Sequence, residues 1–256
     1  NLRFDSPDLA RLNEELKQSS PEEILRWAAE TFGQGLCCLS SMQKTAGMIM
    51  HILSRVAPTT EIIFVDTNAH FDETLELRDE FIKRFGCNIK TYYPAKSFDE
   101  QRQDYGRDLY LHDSDTDPPG YRECCVLRKE MPFIEAVRGR FEAVIGGLTR
   151  AEGGARKEVN IVTPDPRLGA YRVYPLAYQS KEVIEEYTRL HDLPVHALYA
   201  QGYKSIGCFS CTTPVLPGEP DRAGRWRHIR ENNPALAGQQ IYCGINFEDK
   251  SEGNKA

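Results

Sequence analysis

Apolar positions recur at helical spacing from Ile24 through Leu25, Trp27 and Ala28 to Phe32, directly behind Ser20-Pro21-Glu22-Glu23. That spacing predicts an amphipathic helix whose start is set by a capping box with proline in its first turn. The period then changes. Gly35 to Leu39 is a short apolar run that reads as a buried strand ending at Ser40-Ser41, and Thr45 to Leu53 returns to a largely apolar helix. A second strand, Ile62 to Val65, ends at Asp66-Thr67, Phe71 to Phe85 has helical spacing, and Asn88 to Tyr93 is a third strand. Three strand–helix repeats at this spacing predict an α/β fold, a parallel twisted sheet with helices on both faces. Ligands of such sheets bind at the carboxyl ends of the strands, where Ser40, Ser41, Asp66 and Thr67 fall.

Beyond residue 95 the pattern loosens. Asp113 to Gly120 is polar, contains Pro118-Pro119 and predicts a loop leading into a helix that bears Cys124 and Cys125. Glu142 to Gly147 reads as another strand, Gly153-Gly154 in an arginine-rich stretch as a mobile loop, and Ser180 to His191 as a further amphipathic helix. From Gly202 glycine and proline become frequent and periodicity is lost. The expected organisation is an α/β body over 1–201, including the Cys124-Cys125 helix, with 202–256 as a loop and C-terminal tail of the same domain.

Composition narrows the class. The chain has 256 residues, 40% hydrophobic and 27% charged, enough for one large domain with a buried core. A net charge of −6 argues against an extended nucleic-acid surface. Apolar runs such as Glu61-Ile62-Ile63-Phe64-Val65 fall far short of the roughly 20 residues of a membrane span. Asn1-Leu2-Arg3-Phe4-Asp5 carries no apolar signal region, so the expectation is a cytoplasmic protein whose eight cysteines are thiols or ligands rather than disulfides.

Four of those cysteines carry the strongest chemical signal. Cys124-Cys125 are adjacent, and Cys208 and Cys211 are three apart in Gly-Cys-Phe-Ser-Cys. Two such pairs make a four-thiolate cage for zinc or an iron-sulfur cluster. Neighbouring helical residues point about 100° apart, which suits two irons of a cluster better than one small tetrahedral ion. Cys243, in Tyr-Cys-Gly near the end of the chain, is either an idle thiol or a nucleophile on a mobile arm. Cys37, Cys38 and Cys87 lie in or beside apolar strands and read as core. Ser40 and Ser41 either cap a helix or hold an anion at its positive end. Arg150, Arg156 and Lys157, with Arg128 and Lys129, supply positive charge for such an anion.

Several strings together resemble a known family. Glu123-Cys124-Cys125-Val126-Leu127-Arg128-Lys129, Gly202 to Thr212 around Cys208 and Cys211, Gly224-Arg225-Trp226 and Cys243-Gly244 look like the assimilatory adenylyl-sulfate reductases, the cluster-containing branch of the sulfonucleotide reductases. Phe64-Val65-Asp66-Thr67 with His70-Phe71 extends the likeness over nearly the whole chain. The resemblance implies an adenine-nucleotide α-hydrolase-like fold and a [4Fe-4S] cluster on Cys124, Cys125, Cys208 and Cys211. It implies reduction of adenosine 5'-phosphosulfate to sulfite and AMP, with Cys243 forming an S-sulfocysteine that thioredoxin resolves. Lys129 would act beside the cluster, and Ser40, Ser41, Asp66, Thr67, Arg150, Arg156 and Arg225 would bind substrate. No nucleic-acid or membrane partner is implied, and a homo-oligomer is left open. Lys129 also lies four residues from Cys125, one helical turn away.

The chain departs from the family at Met42-Gln43-Lys44-Thr45, at Thr149-Arg150 where paired arginines are usual, and at Tyr242-Cys243-Gly244-Ile245-Asn246 in the tail. Two alternatives follow. One is an enzyme preferring the 3'-phosphorylated sulfonucleotide, or a divergent sulfur-transfer paralogue. The other is a non-enzymatic nucleotide-binding cluster sensor.

Overall fold

A computed structural model describes residues 3–111, 120–232 and 245–246. Cys243 and most of the loop predicted from Asp113 lie outside the described residues. Two compact units divide the chain: Asn1–Phe64, Asp72–Thr91 and Ala136–Ala197 form one, and Val65–Phe71, Tyr92–Glu135 and Leu198–Ala256 the other.

The first unit is built on the sheet. Its strands are β1 Leu36–Leu39, β2 Glu61–Val65, β3 Ile89–Tyr92, β4 Ala143–Ile145, β5 Val162–Asp165 and β6 Ala170–Val173, in the spatial order β3-β2-β1-β4-β6-β5. β1 pairs in parallel with β2 and β4, and β4 with β6. Among the described residues, only β5 runs antiparallel, along β6 at the edge. The expected parallel α/β sheet is therefore present, with one reversed edge strand that the sequence pattern did not signal. Every residue of β4 is fully buried, as a strand covered on both faces must be, and its apolar run is continuous rather than alternating.

Helices in chain order are α1 Ser6–Leu16, α2 Pro21–Phe32, α3 Lys44–Val56, α4 Asp72–Phe85, α5 Phe98–Tyr105, α6 Gly120–Cys125, α7 Met131–Val137, α8 Lys181–Leu190 and α9 Arg227–Asn232. The predicted capping box of α2 is present: Glu23 N donates to Ser20 Oγ at 3.2 Å and Ser20 N to Glu23 Oε2 at 2.6 Å. Cys37, Cys38 and Cys87 are buried, as expected. Burial pushes the Cys38 thiol up to about 12 and that of Cys87 to about 11, so neither is a nucleophile at neutral pH. The reversed strand β5 is closed by α1: the buried Asn13 side chain accepts from Val162 N at 2.8 Å and donates to Val162 O at 2.9 Å, standing in for a neighbouring strand.

Two buried histidines make this unit sensitive to acid. His51 Nδ1 lies 2.7 Å from Tyr187 Oη, and its ring contacts His191; burial, then His191, Arg55 and Arg84, hold its pKa below the ordinary 6.5. His196 Nε2 is 2.8 Å from Thr74 Oγ1, and burial likewise lowers its pKa. A lowered histidine pKa means that the unfolded chain takes up the proton first. Stability is thus complete above about pH 6.5 and declines below it, by at most about 1.4 kcal/mol per pH unit for each histidine. The midpoint of urea unfolding is expected to drop between about pH 7.5 and 5.5, and His51→Gln to flatten that drop. A midpoint independent of pH over this interval would contradict the expectation.

Candidate functional site

The second unit gathers the cysteine pairs. Cys124 and Cys125 end α6, and Cys208 precedes and Cys211 ends a single 3-10 turn, Phe209–Cys211. The turn is fixed from several sides. Phe209 N donates to Ala69 O at 2.8 Å, His70 and Cys208 form an antiparallel bridge, and Cys208 Sγ lies 3.2 Å from Thr67 Oγ1. Trp226 N donates to Cys211 O at 2.9 Å. Buried Trp226 and Ile229 pack with Cys211, against which Cys125 and Cys208 lie.

Two glycines permit this closure. A Cβ on Gly207 would sit 2.4 Å from Arg225 Nη2, and one on Gly224 would sit 2.0 Å from the backbone oxygen of Thr213. The second contact is with main chain and cannot be relieved by a rotamer change. Gly224→Ala is therefore expected to break the Thr213 N to Gly224 O bond and destabilise the protein by about 2–4 kcal/mol. Urea unfolding would register it, and a variant of wild-type stability would refute it.

One cavity is lined by Thr67, Ala69, Cys124, Cys125, Arg128, Lys129, Cys208, Ser210, Cys211, Arg225 and Trp226. All four cysteines named from the sequence thus meet in one place, together with Lys129, Thr67 and Arg225. Cys208 is held well above an ordinary thiol value by its hydrogen bond with Cys211 and by burial, with Lys129 and Thr67 opposing. Thiols held protonated in this way ionise when a cation or cluster binds them. No group of three or more His, Cys, Asp or Glu side chains among the described residues has the spacing for a metal ion. The donor set nevertheless fits a cluster: four cysteines lining one cavity, with Lys129 and Arg225 among the other lining residues to offset the negative charge of thiolate-bound iron.

Arg225 is 7% exposed and lies 4.6 Å over the Trp226 ring. Its Nη1 donates to Ser205 Oγ at 3.4 Å, and its buried Nε has no hydrogen-bond partner among the described residues. Arg222 Nη1 donates to the same Ser205 oxygen at 3.3 Å. His70 donates from Nε2 to Val65 O at 2.9 Å, and burial and Lys129 push its pKa down to about 4, which keeps the ring neutral. Asp66 is buried, and its Oδ1 accepts from Asn68 N at 2.8 Å, shaping the loop after β2 rather than lining the cavity.

Arg128 has a different task from the anion contact expected of it. It is 2% exposed and donates from Nε to Thr67 O at 2.8 Å, from Nη1 to Gln101 Oε1 at 3.0 Å and Lys96 O at 3.2 Å, and from Nη2 to Asn68 Oδ1 at 3.0 Å. Its guanidinium also lies 3.8 Å from the Phe98 ring centroid. These contacts fasten the cysteine helix to the loop after β2. The helix itself is not the uninterrupted α-helix implied by the one-turn spacing: Val126–Glu130 form a π-helical turn in which Met131 N donates to Val126 O.

The remaining candidates belong to the first unit. Ser40 is buried and Ser41 exposed, but neither caps α3, whose N-cap is Gln43. Ser40 Oγ instead accepts from Met42 N at 3.2 Å, inside a turn where the buried Met42 takes φ +56. Arg150 donates from Nε to Val159 O at 2.8 Å and lies 4.4 Å over the Tyr178 ring. Arg156 is 6% exposed and 3.5 Å from Glu152 Oε1. The stretch around Gly153-Gly154, read as a loop, contains two short 3-10 turns, Arg150–Glu152 and Gly154–Glu158, and Thr149 N donates to Glu152 Oε2 at 2.9 Å.

A family described as the phosphoadenosine phosphosulfate reductase domain matches residues 35–214. The chain belongs to that family. As a member of the phosphoadenosine phosphosulfate reductase family it bears out the resemblance drawn from its cysteine strings. It is 38% identical to the adenosine 5'-phosphosulfate reductase of Streptomyces coelicolor over 84% of this chain and 87% of that one. It is 34% identical to the protein of the same name from Shouchella clausii, over 88% and 90%. In fold it is similar to phosphoadenylyl-sulfate reductase from Candida auris, crystallised as a phosphate complex, with a TM-score of 0.71, 24% identity, and coverage of 83% of this chain and 100% of that one. Among the described residues, this family member has no helix long and apolar enough to cross a membrane.

Proposed function

We propose that this chain reduces adenosine 5'-phosphosulfate to sulfite and AMP, as a cytoplasmic enzyme of sulfate assimilation that uses thioredoxin as its dithiol donor. The observation that carries the proposal is the meeting of Cys124, Cys125, Cys208 and Cys211 with Lys129 and Arg225 around one cavity, in a chain similar to proteins named adenosine 5'-phosphosulfate reductase. The four cysteines would hold a [4Fe-4S] cluster, and its contribution when bound is a fixed local charge that tunes the field at the substrate's sulfate end.

The chain's own groups account for the rest. Lys129 and Arg225 offset the anionic phosphosulfate, and Arg225 Nε, buried and without a hydrogen-bond partner among the described residues, offers a donor at low cost because it is already desolvated. Ser40, Ser41, Asp66, Thr67, Arg150 and Arg156 are assigned to the nucleotide. The Cys243 thiolate attacks the sulfate sulfur, an S–S bond forms, the S–O bond to AMP breaks, and AMP leaves with the electron pair. A thioredoxin thiolate then attacks Cys243 Sγ, sulfite departs with the S–S electron pair, and the second thioredoxin thiol resolves the mixed disulfide and restores Cys243. The dithiol supplies the two electrons.

The test is to mix the purified protein with each sulfonucleotide in the absence of reductant and locate the modification by peptide mass spectrometry. S-sulfonation of Cys243 with adenosine 5'-phosphosulfate is the expected result. Modification at no cysteine would exclude the enzyme, and a clear preference for the 3'-phosphorylated nucleotide would reassign the substrate.

A further inference from the structure

Three consecutive charged residues in the π-helical turn make different contacts. Arg128 goes inward to Thr67, Asn68, Lys96 and Gln101. Lys129 lines the cavity with the cysteines. Glu130, 5% exposed, accepts a fork of two bonds from Arg122, one of them from Nη2 to Oε2 at 3.2 Å.

The turn's geometry explains why one pair can govern the other side chain. In an α-helix each residue advances about 100°, so four steps from Cys125 would place Lys129 roughly 40° beyond it, on the side away from Cys124. In a turn closed by i to i+5 bonds each residue advances roughly 80°, and the same four steps leave Lys129 roughly 40° short of Cys125, between the two cysteines. The wider turn also brings Arg122 and Glu130 to within roughly 20° of one another around the axis. An uninterrupted α-helix would set them about 80° apart and about 12 Å apart along it. The ion pair therefore closes in the wide turn and is strained in the α form, so it selects the geometry that aims Lys129.

Resting on the reading of the cavity as a cluster site beside a sulfonucleotide, we infer that Arg122 and Glu130 are positioning residues whose ion pair holds the 126–130 turn in its wide form and so holds Lys129 between both cysteines of the adjacent pair. Neither side chain is among those lining the cavity; they act through Lys129. Glu130→Gln, nearly isosteric, removes the charge while keeping the volume.

The test compares wild type, Glu130→Gln, Lys129→Ala, the double variant and the charge swap Arg122→Glu with Glu130→Arg, all as iron-loaded protein. Glu130→Gln is expected to speed amide exchange over 126–131 about tenfold and to shift the iron–sulfur stretching bands in resonance Raman in the same direction as Lys129→Ala. It is also expected to lower kcat about tenfold, while the double variant is no slower than Lys129→Ala within about twofold. The swap should recover exchange, spectrum and rate to within about threefold of wild type. Wild-type exchange and spectrum in Glu130→Gln, losses that multiply in the double variant, or a swap that recovers nothing would each overturn the inference. If Glu130→Gln fails to fold, the swap alone decides. A wild-type protein that consumes neither sulfonucleotide would sink the proposed reaction, and the exchange comparison would still decide the role of the ion pair.

Discussion

Cys243→Ser is expected to lower sulfite production by at least about 10³-fold, with iron content and the visible absorption of the protein unchanged. A serine hydroxyl stays protonated at neutral pH without a neighbouring base, so it cannot form the bond to sulfur that the thiolate forms. The other thiols do not substitute for it. Cys37, Cys38 and Cys87 are buried with raised pKa values, and Cys124, Cys125, Cys208 and Cys211 are committed to the cavity. Affinity for the nucleotide should survive, because the binding groups are untouched, and equilibrium binding alongside turnover separates the two effects. A serine variant that retained even a tenth of the wild-type rate would remove Cys243 from the reaction.

The second large effect belongs to Arg128. Arg128→Met is expected to destabilise the protein by about 3–5 kcal/mol, a large share of the roughly 5–15 kcal/mol available to a folded domain. Methionine fills much of the volume but leaves Thr67 O, Lys96 O, Gln101 Oε1 and Asn68 Oδ1 without the donor they now share, and each such group left unsatisfied when buried costs about 1–3 kcal/mol. Arg128→Lys should rescue little, since an ammonium cannot serve four acceptors spread around a planar fork. Urea unfolding measures both variants. A loss below about 1 kcal/mol for the methionine variant would show that water replaces the guanidinium without penalty.

Those two residues mark what the chain reveals before it is folded and what it does not. Spacing and residue type were sufficient for the sheet's parallel core, because βαβ repeats leave one economical arrangement, and for the convergence of the two cysteine pairs, because so few other chemistries demand them. The reversed edge strand β5 was not legible: Val162–Asp165 contains a proline and no alternation, and its pairing is decided by β6 and Asn13 rather than by its own sequence. The π-helical turn was equally silent. Val-Leu-Arg-Lys-Glu is an ordinary helical string, and the wide form depends on contacts eight residues apart and in the loop after β2. Arg128 looked like an anion ligand because composition reports charge and not direction. Capping, one of the two readings open for Ser40 and Ser41, failed because the left-handed Met42, which moves the helix start to Gln43, has no signature in a residue type that rarely adopts that conformation.

The Asn13 amide against Val162 has a consequence for how the protein behaves in concentrated solution. An open strand edge is a template on which another chain can add a strand, and here a single side chain on α1 occupies the two main-chain groups of Val162 that such an addition would use. Colloidal stability is thereby coupled to the fraying of the first helix. Asn13→Leu, which keeps the helix but withdraws the amide, should form assemblies at concentrations and temperatures where the wild-type protein stays dispersed, well before its sheet unfolds.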